Sequence, residues 1–360
     1  MKSKIAILEG DGIGPEVTAE SVKALKAIEK RFGHTFELEY GDIGAIAIEN
    51  QGHPFPEDTL SKCLSSDAIL FGTIGDPKYD NNPNAKMRPE QGLLAMRKAL
   101  GLYSNIRPIQ SYSMLEEFSP LKKSVIQGVD FVVYRELTGG IYFGKRGRDE
   151  SSNSAYDTCT YSYDEIKRIA QQAFRAAMNR KNHVTLVDKA NVLESSRLWR
   201  EVVKETALAY PEVKLDFMFV DNAAMQIIQN PSQFDVILTE NMFGDIITDE
   251  ASVITGSLGM LPSASIGNNH ALYEPIHGSY PQATGQSIAN PMASILSLAM
   301  MLEYSFELTE ESQCVREAIN NAMEQGFVTK DLNREVYCST HKVGDAVAQN
   351  ILQPQPEKMF

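Results

Sequence analysis

Short runs rich in β-branched and aromatic residues alternate along the chain with longer stretches whose apolar residues recur every three or four positions. AILFGTIG (68–75), FVVYREL (131–137), HVTLVDK (183–189), KLDFMFV (214–220) and DVILTEN (235–241) are of the first kind, each bounded by polar or glycine residues. YDEIKRIAQQAFRAAM (163–178) and SSRLWREVVKETALAY (195–210) are of the second. Compact apolar runs predict strands, and the 3.6-residue period predicts amphipathic helices. Their alternation predicts an α/β fold, a mostly parallel sheet covered by helices. No repeat and no low-complexity linker marks a domain border. One polar, breaker-rich stretch, KRGRDESSNS (145–154), reads as a loop or an arm.

Length and charge narrow the picture. A chain of 360 residues is too long for one small core and suits two domains. Hydrophobic residues make up 43% of it, enough to pack cores without disulfide or metal staples. A net charge of −13 argues against nucleic acid as a partner. It leaves room for a small anion, because a few arginines in a cleft dominate locally. Cysteines 63, 159, 314 and 338 show neither C-x-x-C nor metal-ligand spacing, as expected of incidental thiols in a reducing compartment. The apolar run Ile5–Leu8 is too short for a signal-peptide core, and SILSLAMML (294–302) is too short to span a bilayer. The expected setting is cytoplasmic, with no membrane contact.

The N-terminal LEGDGIGPEV (8–17) follows the apolar KIAIL and leads into a helical pattern, as a dinucleotide-binding loop does. The fingerprint G-x-G-x-x-G needs a third glycine where this chain has Pro15. Proline suits the first turn of a helix, where its missing N–H costs nothing. An ordinary tight strand-to-helix turn fits the spacing better.

Four other stretches carry chemistry-bearing residues. In ENMFGDIITDEASVITGSLG (240–259), Asp245 and Asp249 lie four apart, on one face of a helix. Like charges at that spacing repel, and no lysine or arginine lies within the stretch. It reads equally as a solvated acidic helix start or as half of a divalent-cation site, with Asp221, at the end of the strand KLDFMFVDN, as a third oxygen ligand. RKALGLYSNIRP and YRELTGG supply Arg97, Arg107 and Arg135, whose guanidinium forks grip carboxylates when they are not merely surface residues. VDKANVLESS places Lys189 beside Asp188, and GGIYFG holds Tyr142. On spacing alone the first is an ordinary salt-bridged lysine and the second a strand aromatic. YEPIHGSYPQATGQSIANP (273–291) is either a long turn or a loop that wraps a ligand ahead of a helix.

In this order, these pieces resemble the β-decarboxylating dehydrogenases, the isocitrate/isopropylmalate dehydrogenase family. The resemblance runs from GDGIGPE to SIANP (287–291), and NMFGDIITDEASVITGSLG is its most specific part. PEQGLLAMRKALGLYSNIRP resembles the isopropylmalate branch, with Glu90, Leu93 and Leu94 where isocitrate enzymes usually show a serine and an asparagine. The resemblance implies a two-domain fold distinct from Rossmann's. Residues 1–102 with 256–360 would form the cofactor side, and 103–255 the dimerisation and substrate/metal domain, with an arm near 145–162.

It further implies oxidative decarboxylation of (2R,3S)-3-isopropylmalate to 4-methyl-2-oxopentanoate and CO2 with reduction of NAD, a step of leucine biosynthesis. Arg97, Arg107 and Arg135 would hold the malate carboxylates, and Leu93 and Leu94 would wall the isopropyl group, with Glu90 beside them. Asp221, Asp245 and Asp249 would hold Mg²⁺ or Mn²⁺. Lys189 would take the hydroxyl proton and Tyr142 would return one to carbon. Asn191 would touch the nicotinamide, and His277, Gly278, Ser279, Gln282 and Asn290 the adenosine end. A homodimer with active sites shared across the interface is implied as well. Gln282 stands where NAD-using relatives commonly have aspartate and NADP-using ones lysine, and without a positive charge it favours NAD. The rivals are homoisocitrate, tartrate or D-malate as substrate, or a non-catalytic ligand-binding relative. Retention of Lys189, Tyr142 and all three carboxylates speaks against the last.

Overall fold

A computed structural model describes residues 1–82, 85–149 and 151–353. The chain divides into two compact units. One comprises residues 1–101, 257–264 and 268 onward; the other comprises 102–256 and 265–267. Glu150 in the expected arm, and the last residues of the expected C-terminal segment, 354–360, lie outside the described residues.

In the first unit the strands run in the order Thr35–Tyr40, Lys2–Gly10, Ala68–Thr73, Ala271–Pro275 and Pro262–Ile266, whose first three residues belong here. The first four are parallel to one another. The central Ala68–Thr73 is buried at every position, as a strand covered on both faces must be. The helix Gly14–Phe32 buries Val17, Ala24, Leu25 and Ile28, one stripe of its surface. Pro15 sits in its first turn, and Gly33, at φ +75°, ends it. The helix Met292–Tyr304 is buried along Met292–Leu302, so SILSLAMML is a core helix. No helix among the described residues is long and apolar enough to cross a membrane.

In the second unit the order is Ser104–Gln110, Asp130–Glu136, Val236–Thr239, His183–Asp188 and Lys214–Phe219. Only the first pair is antiparallel; the others run parallel. The helices Tyr163–Met178 and Glu194–Ala207 bury one face each, including Ile166, Ile169, Phe174, Trp199 and Val203. One sequence reading is filled out here and another changes. The expected loop or arm carries a small antiparallel hairpin, Arg146–Asp149 with Ser154–Asp157, largely exposed. Asp221 does not end a strand: the strand stops at Phe219 and Asp221 lies in the first turn of the helix Val220–Gln229. An acid there complements the positive end of the helix, a preference that the β-rich composition before it concealed.

Candidate active site

The helix Asn241–Thr255 starts where the side chain of Glu240 accepts the Phe243 N–H at 3.2 Å, and it ends at Gly256, φ +88°. Phe243, Ile247, Ala251 and Ile254 are buried, which fixes its rotation. Asp245 and Asp249 therefore share the side that meets two buried arginines. Arg135, on the strand Asp130–Glu136, donates through Nη1 to Asp245 and through Nε and Nη2 to Asn241 Oδ1 at 3.0 and 2.8 Å. Arg107, on the antiparallel neighbour, donates to Thr248 and, at 2.7 Å, to Asn105 Oδ1. Its guanidinium lies 3.6 Å from Asp245 and 3.7 Å from Asp249. The charges missing from the acidic stretch thus come from other strands, and each buried guanidinium has its carboxylate.

Tyr142 joins this cluster, its hydroxyl donating to Asp245 Oδ2 at 3.1 Å. It sits on a turn, correcting the strand-aromatic reading. Glu136, fully buried, anchors the turn by accepting the N–H groups of Thr138 and Gly139 at 2.8 and 2.7 Å. Gly139 and Gly140 pack so closely on Tyr161 that a Cβ at either would come within 2.6 Å of its ring or hydroxyl.

The acids are tuned in opposite directions. Burial disfavours ionisation of Asp245, but Arg135 and Arg107 outweigh it and hold the carboxyl below its ordinary value. Partial desolvation raises Asp249, Arg107 opposes, and the charge of Asp245 adds to the rise. Burial, then Asp245, raises Tyr142, which stays protonated at neutral pH.

Lys189, just beyond the strand His183–Asp188, pairs with Asp221 at 2.9 Å. Asp221 is therefore engaged apart from Asp245 and Asp249. Among the described residues, no group of three His, Cys, Asp or Glu side chains in one chain could hold a metal. Asn191 is exposed on the turn after Lys189.

In the other unit, Glu90, Leu93, Leu94 and Arg97 fall at i, i+3, i+4 and i+7 of the helix Pro89–Ala99, one continuous face. The leucines are half-buried. Arg97 pairs with Glu274 at 2.9 Å, while its buried Nε finds no partner among the described residues.

The same unit contains a cavity of about 410 Å³. His277, Gly278 and Asn290 line it, together with Ile13, Leu258 and Asp331. Burial lowers the pKa of His277, and its Nε2 has no partner among the described residues, leaving a neutral ring for a neutral ligand edge. Ser279 is buried, and its carbonyl accepts the Ile13 N–H at 2.8 Å; Gln282 is exposed and not among the lining residues. The glycine turn is occupied by the protein itself. Asp11 N–H donates to the Thr73 carbonyl at 2.8 Å, and a Cβ on Gly12 would lie 2.0 Å from the Ser279 carbonyl oxygen. These glycines serve backbone against backbone.

Sequence reasoning missed Asn241, Asn105, Glu274 and Asp331. Asn241 lay within a singled-out stretch. Asp331 had no local signal, because only the fold carries VTKDLN to the cavity. Cys63 is buried, with its thiol pushed up to about 12, an inert group.

The family model for isocitrate/isopropylmalate dehydrogenase matches residues 4–347. The chain is 53% identical to a 3-isopropylmalate dehydrogenase of Bacteroides fragilis, covering 93% of this chain and 94% of that one. It is 57% identical to one of Geobacillus kaustophilus, covering 91% and 90%. Among solved structures, isocitrate dehydrogenase from Methylococcus capsulatus superposes with a TM-score of 0.88 at 31% identity, covering 98% of this chain and all of that one. A match over nearly the whole length, and over the helix that carries Asp245 and Asp249, leaves one conclusion: the chain belongs to the isocitrate/isopropylmalate dehydrogenase family.

Proposed function

We propose that the protein oxidises and decarboxylates 3-isopropylmalate, with NAD as hydride acceptor and Mg²⁺ or Mn²⁺ as metal, in leucine biosynthesis. The observation that carries this reading is identity above 50% over nearly full length to relatives named for that activity. The face of Glu90, Leu93, Leu94 and Arg97 supports it locally, offering an apolar wall flanked by one acid and one arginine whose Nε–H has no partner among the described residues.

Arg107 and Arg135, preset by Asn105 and Asn241, would bind the substrate carboxylates, with Arg97 as a third fork. The carboxylates of Asp245 and Asp249 are hard oxygen donors on one face and suit a divalent cation. The third ligand, Asp221, would come from a second copy of the chain, together with Lys189. When bound, the metal would supply Lewis-acid polarisation of the substrate oxygen, and NAD would supply the hydride acceptor. Lys189 Nζ would remove the hydroxyl proton, for which the amine must be neutral at that moment. The Tyr142 hydroxyl, protonated at neutral pH, would deliver a proton to the carbon that loses CO2. Ile246 and Met225, exposed on the helices Asn241–Thr255 and Val220–Gln229, offer apolar surface for the dimer that such sharing requires.

NAD would lie in the cavity at His277 and Asn290, whose size and neutral histidine suit an adenosine. The acidic Asp331 on its wall disfavours a 2′-phosphate, and Gln282, outside that wall, brings no positive charge to hold one. The test is reduction of NAD and NADP by purified protein with 3-isopropylmalate, D-malate and isocitrate, with Mg²⁺ present. The highest kcat/KM is expected for isopropylmalate with NAD. Preference for another acid or for NADP overturns that part of the reading.

A further inference from the structure

The motif GDGIGPE remains without a task, since the amides of Asp11, Ile13 and Gly14 bond to the protein. Its glutamate shows what it does. Glu16, in the first turn of the helix Gly14–Phe32, accepts the Gly285 N–H on Oε1 at 2.5 Å and the Ser287 N–H on Oε2 at 3.0 Å. One carboxylate so holds two amides of the loop that lines the cavity. Both lie where the backbone is left-handed, Gly285 at φ +76° and Ser287 at φ +54°. A serine there is unfavourable by itself and persists only when its surroundings fix it.

Two other contacts complete the hold. Ile13 N–H donates to the Ser279 carbonyl at 2.8 Å, and Ile13 and Val17 pack on Ala283, Ala289 and Ile288. On the far side, Thr340 donates from N to the Ser287 carbonyl at 2.9 Å and from Oγ1 to the Ala289 carbonyl at 2.6 Å. The residues so fixed, Ile13, Ile288 and Ala289, are themselves cavity wall.

We infer that Glu16 is a positioning residue for the dinucleotide, a clamp that presets the loop 279–290 in its binding form without touching the ligand. The inference rests on the reading of this cavity as the NAD site. A ligand that meets a preset loop does not have to order it, so loss of the clamp should appear in cofactor affinity and not in the chemical step.

The variants are Glu16→Ala and the isosteric Glu16→Gln, which keeps one acceptor oxygen. Three measurements are made on the full chain: NAD binding by calorimetry, amide hydrogen exchange, and steady-state kinetics with 3-isopropylmalate and Mg²⁺. For Glu16→Ala the Kd and KM for NAD should rise by about tenfold or more, a change of about 1.4 kcal/mol. The KM for isopropylmalate and kcat at saturating NAD should stay within about threefold, and Glu16→Gln should fall between. Exchange should quicken in the peptide that contains Gly285 and Ser287, and not in the strands Lys2–Gly10 or Ala68–Thr73. Unchanged NAD affinity, unchanged exchange, or a loss spread evenly over all constants and peptides overturns the clamp. If wild-type protein binds no NAD, the cavity reading itself fails, and that result is seen before any variant is made.

Discussion

Asn241 receives two hydrogen bonds from Arg135 on a single side-chain oxygen, while its Nδ2 donates to the Gly139 carbonyl at 3.2 Å. One amide therefore fixes both the guanidinium and the glycine turn that carries Tyr142. Asn241→Ala should lower kcat/KM by roughly 10- to 100-fold, the cost of about 1.5–3 kcal/mol for hydrogen bonds to a charged group. Asn241→Asp keeps the acceptor oxygens but loses the donor to Gly139. It should retain isopropylmalate binding better than alanine, and equal effects in steady-state kinetics would contradict the two-sided role.

Asp249 is predicted to limit stability in the metal-free protein. Its carboxyl is raised in the folded state, so folding favours the protonated form, and ionisation at neutral pH works against the fold. Asp245 has the opposite sign: its contribution is present above the unfolded carboxylate range, and is lost as pH falls through its depressed folded pKa. In chelator at pH 7, Asp249→Asn should raise the Tm and Asp245→Asn should lower it, leaving Arg135 and Arg107 short of their counter-charge. Both should weaken Mn²⁺ binding by more than about tenfold, the loss seen even for outer partners of metal ligands. Thermal scans and metal titrations read the two effects separately.

Leu93 and Leu94 test the substrate pocket. Replacing both with threonine should reduce kcat/KM for isopropylmalate more than for D-malate, which lacks the isopropyl group. A contact of methylene size is worth roughly 1–3 kcal/mol in such discrimination. Equal losses on the two acids would make the leucines ordinary packing residues.

Sharing of sites between subunits is tested by mixing. Lys189→Ala and Arg107→Ala should each be nearly inactive as homodimers. In a mixed dimer, one site collects both defects and the other collects neither. Refolding the two variants together should then recover up to about a quarter of wild-type activity, since random pairing makes about half the dimers mixed and half their sites intact. Heterodimers verified by differently tagged subunits, yet inactive, would require sites built within one chain.

Periodicity alone was enough for the α/β class, because buried parallel strands are nearly continuous apolar runs and covering helices are striped. The site was only partly legible. Asp245 and Asp249 stood out through local repulsion, but their neutralisation by Arg107 and Arg135 depends on strand pairing, which no local pattern encodes. The glycine turn was readable as a turn, yet what its glycines pack against, Ser279 and Thr73, lies far along the chain. Asp221 was misplaced because the strand and the helix that follows it share apolar composition. Glu16 lay within the GDGIGPE motif, yet nothing local told its role from that of an ordinary acid in a first helical turn.

The unit that contains the cavity is interrupted in sequence by the whole of the other, and this bears on how the protein is made. The helix Gly14–Phe32 is packed against the helix Thr340–Leu352, where Glu20 fills the space beside Gly344 and accepts from His341 at 2.6 Å. On a ribosome adding about 5–20 residues per second, some 300 residues separate those partners, so the side of the first helix that carries Glu20 stays uncovered for roughly 15–60 s. The second unit, nearly continuous in sequence, can complete its sheet within that interval. Newly made chains therefore pass through a long-lived state with one finished half and one apolar, unfinished half, and that state is where chaperone capture and aggregation should concentrate.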